Sequence, residues 1–227
     1  MKDLKNDIIP IKIAYAEDHD LIREAIITNL EKDGRIKVIV EAGNGADLIK
    51  KMEECPEEPN VCLLDISMPK MDGFETITAL KHKWPEIKIL VISAYESEGY
   101  RVRMVLCGAD GYLTKRAKAS EMRRAIEEIY DVGLYNTELF SKEFVQSVKR
   151  KKFVLPELTA LDMQLLRYSI ADKTFDEISG LLGYSAKSIE AHRLRLYNKI
   201  GVKTRAGLAF FAIKFGYVGI ESQETPL

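Results

Sequence analysis

The chain has 227 residues, 46% hydrophobic and 30% charged, with a formal net charge of −1, a balance ordinary for a soluble globular protein with room for two modest domains. No apolar stretch approaches a membrane span, and residues 1–10 are charged rather than signal-like, so the expectation is a cytoplasmic protein with no membrane partner. Three cysteines without a CxxC pair argue for free thiols rather than a disulfide framework.

The charge is unevenly spread. Residues 1–140 carry 20 Lys and Arg against 26 Asp and Glu, a net −6, whereas residues 158–220 carry 9 against 5, a net +4. An acidic front and a basic back suggest a regulatory domain joined to one that meets polyanions.

The first half alternates strand and helix. Ile11 to Ala16 is an apolar run that ends in Glu17-Asp18. Asp20 can cap a helix with Ile22, Ala25, Ile26 and Leu30 at helical spacing, closed by Gly34. A second strand, Ile36 to Val40, precedes a helix carrying Leu48, Ile49 and Met52. Val61 to Leu64 then empties abruptly into Asp65 and a turn with Pro69 and Asp72-Gly73, the pattern of a buried strand ending in a loop. A third helix spans Phe74 to Lys83. The run Ile87 to Ile92 ends in Ser93-Ala94, and a fourth helix spans Ser97 to Cys107. Tyr112 to Thr114 ends in Lys115, and a fifth helix, Ser120 to Tyr130, has Met122, Ala125, Ile126 and Ile129 as its buried stripe. Five such units predict a right-handed, doubly wound parallel sheet, and the expected order is the flavodoxin-like 2-1-3-4-5, one of the doubly wound orders.

In that order strands one and three are neighbours, so Glu17, Asp18 and Asp65 meet beyond their carboxyl ends, where such sheets bind ligands. A lone Asp after a strand is ordinarily a turn cap. Clustered carboxylates suit a hard divalent cation such as Mg²⁺, and Ser93 and Lys115 add a hydroxyl and an ammonium to the same rim. His19 follows the two acids, but Mg²⁺ sites rarely recruit imidazole, and a soft-metal site would need partners not evident nearby.

From Gly133 the pattern changes. Thr137 to Lys149 predicts a connecting helix, followed by the basic run Lys149-Arg150-Lys151-Lys152, read as a solvated linker. The expected division is 1–132, a linker over 133–156, and 157–220. The last part reads as four short helices, making the whole α/β plus all-α. Thr159 with Asp162 and Thr174 with Glu177 have capping-box spacing, and Gly183 then Ser185 give a helix-turn-helix signature. In the third of these helices Ile189, His192, Leu196 and Ile200 form the inward stripe, leaving Lys187, Glu190, Ala191, Leu194, Arg195 and Asn198 outside.

Over about its first 130 residues the chain resembles the receiver domain of two-component response regulators. The carrying residues are Glu17-Asp18, Asp65 with Met68-Pro69 and Asp72-Gly73, Ser93-Ala94, Gly108-Ala109-Asp110-Gly111-Tyr112 and Lys115. That resemblance implies Asp65 as phosphoacceptor; Asp18, Asp65 and the Ser67 backbone carbonyl as Mg²⁺ ligands; and Glu17 holding metal-bound water. It further implies Ser93 and Lys115 on phosphoryl oxygens, with Tyr112 the aromatic that turns inward when Ser93 moves. Glu17 stands where Asp is more frequent, and Arg116 where many receivers have Pro.

Leu158-Thr159, Glu177-Ile178, Ser185, Ser188-Ile189-Glu190-Ala191-His192-Arg193, Lys199-Ile200-Gly201-Val202 and Arg205-Ala206 resemble the LuxR-type helix-turn-helix output domain of the NarL/FixJ subfamily. This implies a helix over Ser185 to Lys199 in the major groove of double-stranded DNA, and a last helix able to dimerise. Lys187, Arg193 and Arg195 are the candidates for phosphate contacts, Glu190 and Leu194 for base edges, and Ser188, Ala191 and Asn198 complete the face. Leu208, Phe211, Ala212 and Phe215 serve either a dimer interface or the domain's own core.

The function implied is a phosphorylation-controlled transcriptional regulator that takes its phosphoryl group from a histidine kinase and binds DNA as a homodimer when phosphorylated. No enzymatic activity is expected beyond Mg²⁺-dependent self-phosphorylation and slow autodephosphorylation. A carboxylate-nucleophile phosphohydrolase is the alternative from another class, but such enzymes place a second Asp two residues after the nucleophile, where this chain has Ser67. A receiver-like regulator that works without phosphorylation is the other; Asp18, Asp65, Ser93 and Lys115 are all present against it.

Overall fold

The computed structural model describes residues 9–135, 137–150, 155–171 and 173–218. Residues 1–8, Lys151 and Lys152 of the basic run, the expected domain end at 219–220 and the acidic tail lie outside the described residues. By compactness the chain divides into two units, residues 1–96 with 104–153 and residues 97–103 with 154–227.

The sheet contains β1 (Ile11–Ala16), β2 (Ile36–Ala42), β3 (Val61–Asp65), β4 (Lys88–Ser93) and β5 (Gly111–Thr114), all parallel, in the expected order β2-β1-β3-β4-β5. Every residue of β3, at the centre, is buried, as a parallel strand covered on both faces must be. The helices are α1 (Asp20–Leu30), α2 (Gly45–Glu54), α3 (Gly73–Lys83), α4 (Glu98–Cys107) and α5 (Ala119–Val132). Ile13, Tyr15, Leu63, Leu90, Ile92 and Leu113 pack with Leu30 of α1 and with Met122, Ala125, Ile126 and Ile129 of α5. The α5 stripe is the one its spacing predicts. Each such aliphatic side chain contributes roughly 1.5–3 kcal/mol on full burial.

Helix α1 departs from expectation. Its N-cap is His19, not Asp20, and the Asp20 carboxylate instead pairs with Arg23 at 2.7 Å. Ile22 and Ala25 are exposed, while Arg23, Ile26, Ile27 and Leu30 form the inner stripe. The apolar positions alone put the phase one residue early, because an arginine occupies the fourth place on the buried face. Arg23 can lie there because its donors are used: Nη1 to the Glu17 carbonyl at 2.8 Å and Nε to Glu41 at 3.2 Å.

The connecting helix is also shorter than predicted, α6 (Lys142–Arg150). Thr137 caps an isolated turn, accepting from the Phe140 N–H at 3.1 Å, and the Ser141 hydroxyl opens the helix by accepting from Phe144. Local side-chain caps thus interrupt a run whose apolar spacing is helical throughout.

The second unit holds α7 (Ala160–Ser169), α8 (Phe175–Leu182), α9 (Ala186–Ile200) and α10 (Arg205–Lys214). Both expected capping boxes form, and Ser185 caps α9 by accepting from Ser188. Gly183, at φ +70°, ends α8 in the left-handed conformation that makes the tight turn. The core gathers Leu165, Leu166, Ile178, Ile189, Leu196 and Leu208. Tyr197, absent from the predicted inner stripe of α9, is buried there too. On α10, Leu208 and Ala212 are buried and Phe211 packs against the core, whereas Phe210 is 68% exposed.

Candidate functional site

Parallel register brings three strand ends level. Ala16 pairs with Leu64 and Asp65 with Ile92, so Glu17, Asp65 and Ser93 follow one another across the sheet, each 1% exposed. Lys115 joins them from the end of β5, its N–H bonded to the Ser93 carbonyl at 3.0 Å. Asp65 is supported from below. The Gly73 N–H bonds the Ile66 carbonyl at 2.9 Å, and a Cβ on Gly73 would lie 2.6 Å from the Asp65 carbonyl oxygen, so only glycine allows α3 to start this close. The Asp72–Glu75 capping box fixes that first turn.

The Lys115 Nζ divides the carboxylates. It lies 2.9 Å from Asp65 Oδ2 and 3.2 Å from Glu17 Oε2. Asp65 Oδ1 is a buried atom with no hydrogen-bond partner, and Asp18 Oδ1, also buried, faces the His19 ring nitrogen at 2.9 Å. Such oxygens cost free energy unless something positive meets them, so the donor set fits an oxygen-preferring divalent cation. Burial pushes the Asp65 carboxyl up to about 6, aided by Glu17 and opposed by Lys115 and the Ser67 N–H. Asp65 is therefore mostly ionised at neutral pH yet poorly solvated. Lys115 is raised above its ordinary value: burial opposes the charge, but Asp65 and Glu17 outweigh it.

The structure places the remaining sequence-predicted residues as follows. Ser93 Oγ accepts from the Tyr95 N–H at 3.1 Å, leaving its hydroxyl hydrogen to donate. Tyr112 is buried, its hydroxyl donating to the Tyr95 carbonyl at 3.1 Å. Ser67 is exposed at the loop crest.

Sequence reasoning missed one neighbour, Arg23, and set another, His19, aside. Arg23 grips the Glu17 carbonyl, and its signal was a charge in a helical stripe. His19 does find partners: Nδ1 lies 3.0 Å from Glu17 Oε1 and 2.9 Å from Asp18 Oδ1, and these acids hold the exposed imidazole above its ordinary value.

On α9, Lys187, Ser188, Glu190, Ala191, Leu194, Arg195 and Asn198 all face outward. Arg193 does not. Its guanidinium sits 4.4 Å from the Phe175 ring centroid and 5.5 Å from that of Tyr197, and pairs with Glu190 at 3.3 Å. The expected phosphate contact for Arg193 is therefore withdrawn: its helical phase points it at α8, where aromatic faces receive the cation. His192 is a packing residue, as its inward phase predicts. Its Nε2 lies 2.8 Å from Asp162 Oδ1, and Lys199 Nζ is 3.0 Å from Asp162 Oδ2. Burial would raise the Asp162 carboxyl, but the Thr159 N–H, Lys199 and His192 outweigh it and bring it down to about 2. Arg205, read from sequence only as part of a pattern, caps α7: it donates to the carbonyls of Tyr168, Ser169, Ala171 and Lys173.

Residues 13–127 match the family described as response regulator receiver domain, and residues 156–212 that described as bacterial regulatory proteins, luxR family. Over 213 residues the chain is 29% identical to response regulator GacA of Pseudomonas syringae pv. syringae, spanning 92% of this chain and 98% of that protein. It is 26% identical over 214 residues to response regulator protein VraR of Staphylococcus saprophyticus subsp. saprophyticus, spanning 92% and 100%. A solved structure of the Salmonella typhimurium RcsB response regulator aligns with a TM-score of 0.57 over 91% of this chain and 98% of that one; at 20% identity the likeness is one of fold.

Proposed function

Since this chain belongs to the response regulator receiver family and carries a luxR-type DNA-binding domain, it is a two-component response regulator acting on transcription, and we propose that Asp65 is its phosphoacceptor. The observation that carries this reading is the Lys115 ammonium on one Asp65 oxygen while the other is buried and without a partner. The Asp65 carboxylate attacks the phosphorus of a phosphohistidine on a partner kinase; the P–O bond forms as the P–N bond breaks, and the imidazole leaves with the electron pair. Lys115 exchanges its Asp65 oxygen for a new phosphoryl oxygen, and the Ser93 hydroxyl donates to another. Asp18, Asp65 and the Ser67 carbonyl would hold Mg²⁺, with Glu17 acting through water; the ion supplies charge neutralisation at the transferring group. The same residues serve self-phosphorylation from small donors and slow autodephosphorylation.

We assign residues 1–132 to the receiver, 133–156 to the connector and 157–220 to DNA binding; the break between compact units after residue 153 falls inside that connector. No helix among the described residues is long and apolar enough to cross a membrane, which is compatible with action in the cytoplasm. DNA is read by the outward face of α9, with Lys187 and Arg195 on phosphates, Glu190 and Leu194 at base edges, and Ser188, Ala191 and Asn198 flanking them. Phosphorylated protein binds as a homodimer, and the solved RcsB structure was studied for its DNA interaction. Of the residues on α10 only Phe210 offers a large exposed apolar surface, so it replaces Leu208 and Ala212 as the dimer candidate.

Intact-mass analysis after incubation with acetyl phosphate and Mg²⁺ tests the acceptor. Wild type should gain one phosphoryl group and Asp65→Asn none; labelling of Asp65→Asn at the wild-type rate overturns the assignment.

A further inference from the structure

We propose that His19 makes the acid pocket a mixed nitrogen–oxygen site that also takes a first-row transition ion, with the imidazole as the ligand that separates such ions from Mg²⁺. This rests on the phosphoacceptor reading only in using the same carboxylates. Glu17, Asp18 and His19 each offer a ligand atom, all within 4.8 Å of one another. The Nδ1 distances of 3.0 Å to Glu17 Oε1 and 2.9 Å to Asp18 Oδ1 equal the edge of an octahedron around an ion with ligands at about 2.1 Å, whose adjacent ligands stand about 3 Å apart.

A second observation points the same way. Asp65, almost wholly buried, has its Oδ1 without a hydrogen-bond partner, and Lys115 bridges its other oxygen to Glu17, so this carboxylate borders the same group. Lys115 takes Oδ2 of Asp65 and lies nearer Oε2 than Oε1 of Glu17, leaving Asp65 Oδ1 without a hydrogen-bond partner and Glu17 Oε1 to the imidazole.

His19 is placed by its backbone as the N-cap of α1, and its N–H also reaches Glu17 Oε1 at 3.3 Å. A neutral imidazole gives its lone pair readily to Mn²⁺, Co²⁺, Ni²⁺ or Zn²⁺ and poorly to Mg²⁺. The pocket therefore responds to two ion classes through overlapping ligands. A transition ion held by nitrogen as well as oxygen binds more tightly than Mg²⁺ and competes with it.

The test uses the full-length, metal-free chain titrated with Mg²⁺ alone and with Co²⁺ alone by calorimetry, with the visible absorption of Co²⁺ as a report on nitrogen ligation. Wild type should bind Co²⁺ at least tenfold more tightly than Mg²⁺. His19→Gln should lose about tenfold or more in Co²⁺ affinity and shift its absorption band, while its Mg²⁺ affinity stays within about twofold of wild type, which also shows that the variant is folded. Asp18→Asn should weaken both ions. Equal losses for the two ions in His19→Gln, or none for Co²⁺, overturn the proposal and leave the phosphoacceptor reading standing. Failure of wild type to bind either ion overturns the proposal and also counts against the carboxylate pocket.

Discussion

Asp162 Oδ1 and His192 Nε2 meet at 2.8 Å, tying the capping box that opens α7 to the middle of the helix proposed to read DNA. The same carboxylate takes Lys199 from the next turns of α9. The packing of α9 against the start of α7 is therefore held partly by one charge.

That charge has a pH signature. The Asp162 carboxyl is depressed from its ordinary 3.8 to about 2, so its contribution is fully present above about pH 4 and disappears as pH falls through 2. The shift corresponds to at most about 2 kcal/mol. Urea melts of wild type and Asp162→Asn should differ by about that amount at pH 6, with the gap closing towards pH 2. A gap independent of pH would assign the effect to the cap's shape instead.

The buried Asp65 carboxylate should destabilise the metal-free receiver. Its carboxyl is raised to about 6, so the protonated form is favoured in the folded state, and stability falls as pH rises from about 4 through 6. Asp65→Asn should accordingly melt above wild type at pH 7 in a chelator, by about 1–3 kcal/mol. Added Mg²⁺ should narrow the difference by stabilising wild type alone. Calorimetric melts with and without the ion decide it.

Two arginines two residues apart should behave differently. Arg195→Ala should flatten the salt dependence of DNA binding by about one unit of slope without changing the melting temperature. Arg193→Ala, which removes the cation facing Phe175 and Tyr197, should cost about 1–2 kcal/mol of stability and leave the slope alone. Salt-series binding and thermal melts on both variants give the comparison; equal slopes for wild type and Arg195→Ala would remove that phosphate contact.

On α10 the split is between nearly opposite sides of the helical wheel. Leu208→Ala should destabilise by about 2–5 kcal/mol because it opens a core cavity. Phe210→Ser should change stability by no more than about 0.5 kcal/mol while weakening the phosphorylated dimer. Sedimentation of phosphorylated Phe210→Ser checks this, and an unchanged dimer constant would move the interface elsewhere.

The sheet order, the level of Asp65 with Glu17 and Lys115, and both capping boxes were legible because each is local: apolar runs ending in chemistry, or a fixed spacing of three residues. What stayed hidden depends on which face a polar residue takes. Arg23 and Arg193 are charged groups turned inward against partners far along the chain, Glu41 for one and Phe175 for the other. Periodicity in hydrophobicity cannot register them. His19 was set aside on its chemistry, and only the folded turn after β1 brings its ring against both acids.

The hydrogen bond from Gly73 to Ile66 closes the loop beyond Asp65 into a ring pinned at its neck. The ring reaches the carboxylate through its backbone: the Ser67 N–H bonds Asp65, while the Ser67 side chain and Lys70, the latter at φ +65°, stand exposed above it. Side chains on the crest can therefore change while the backbone donor beneath them stays in place.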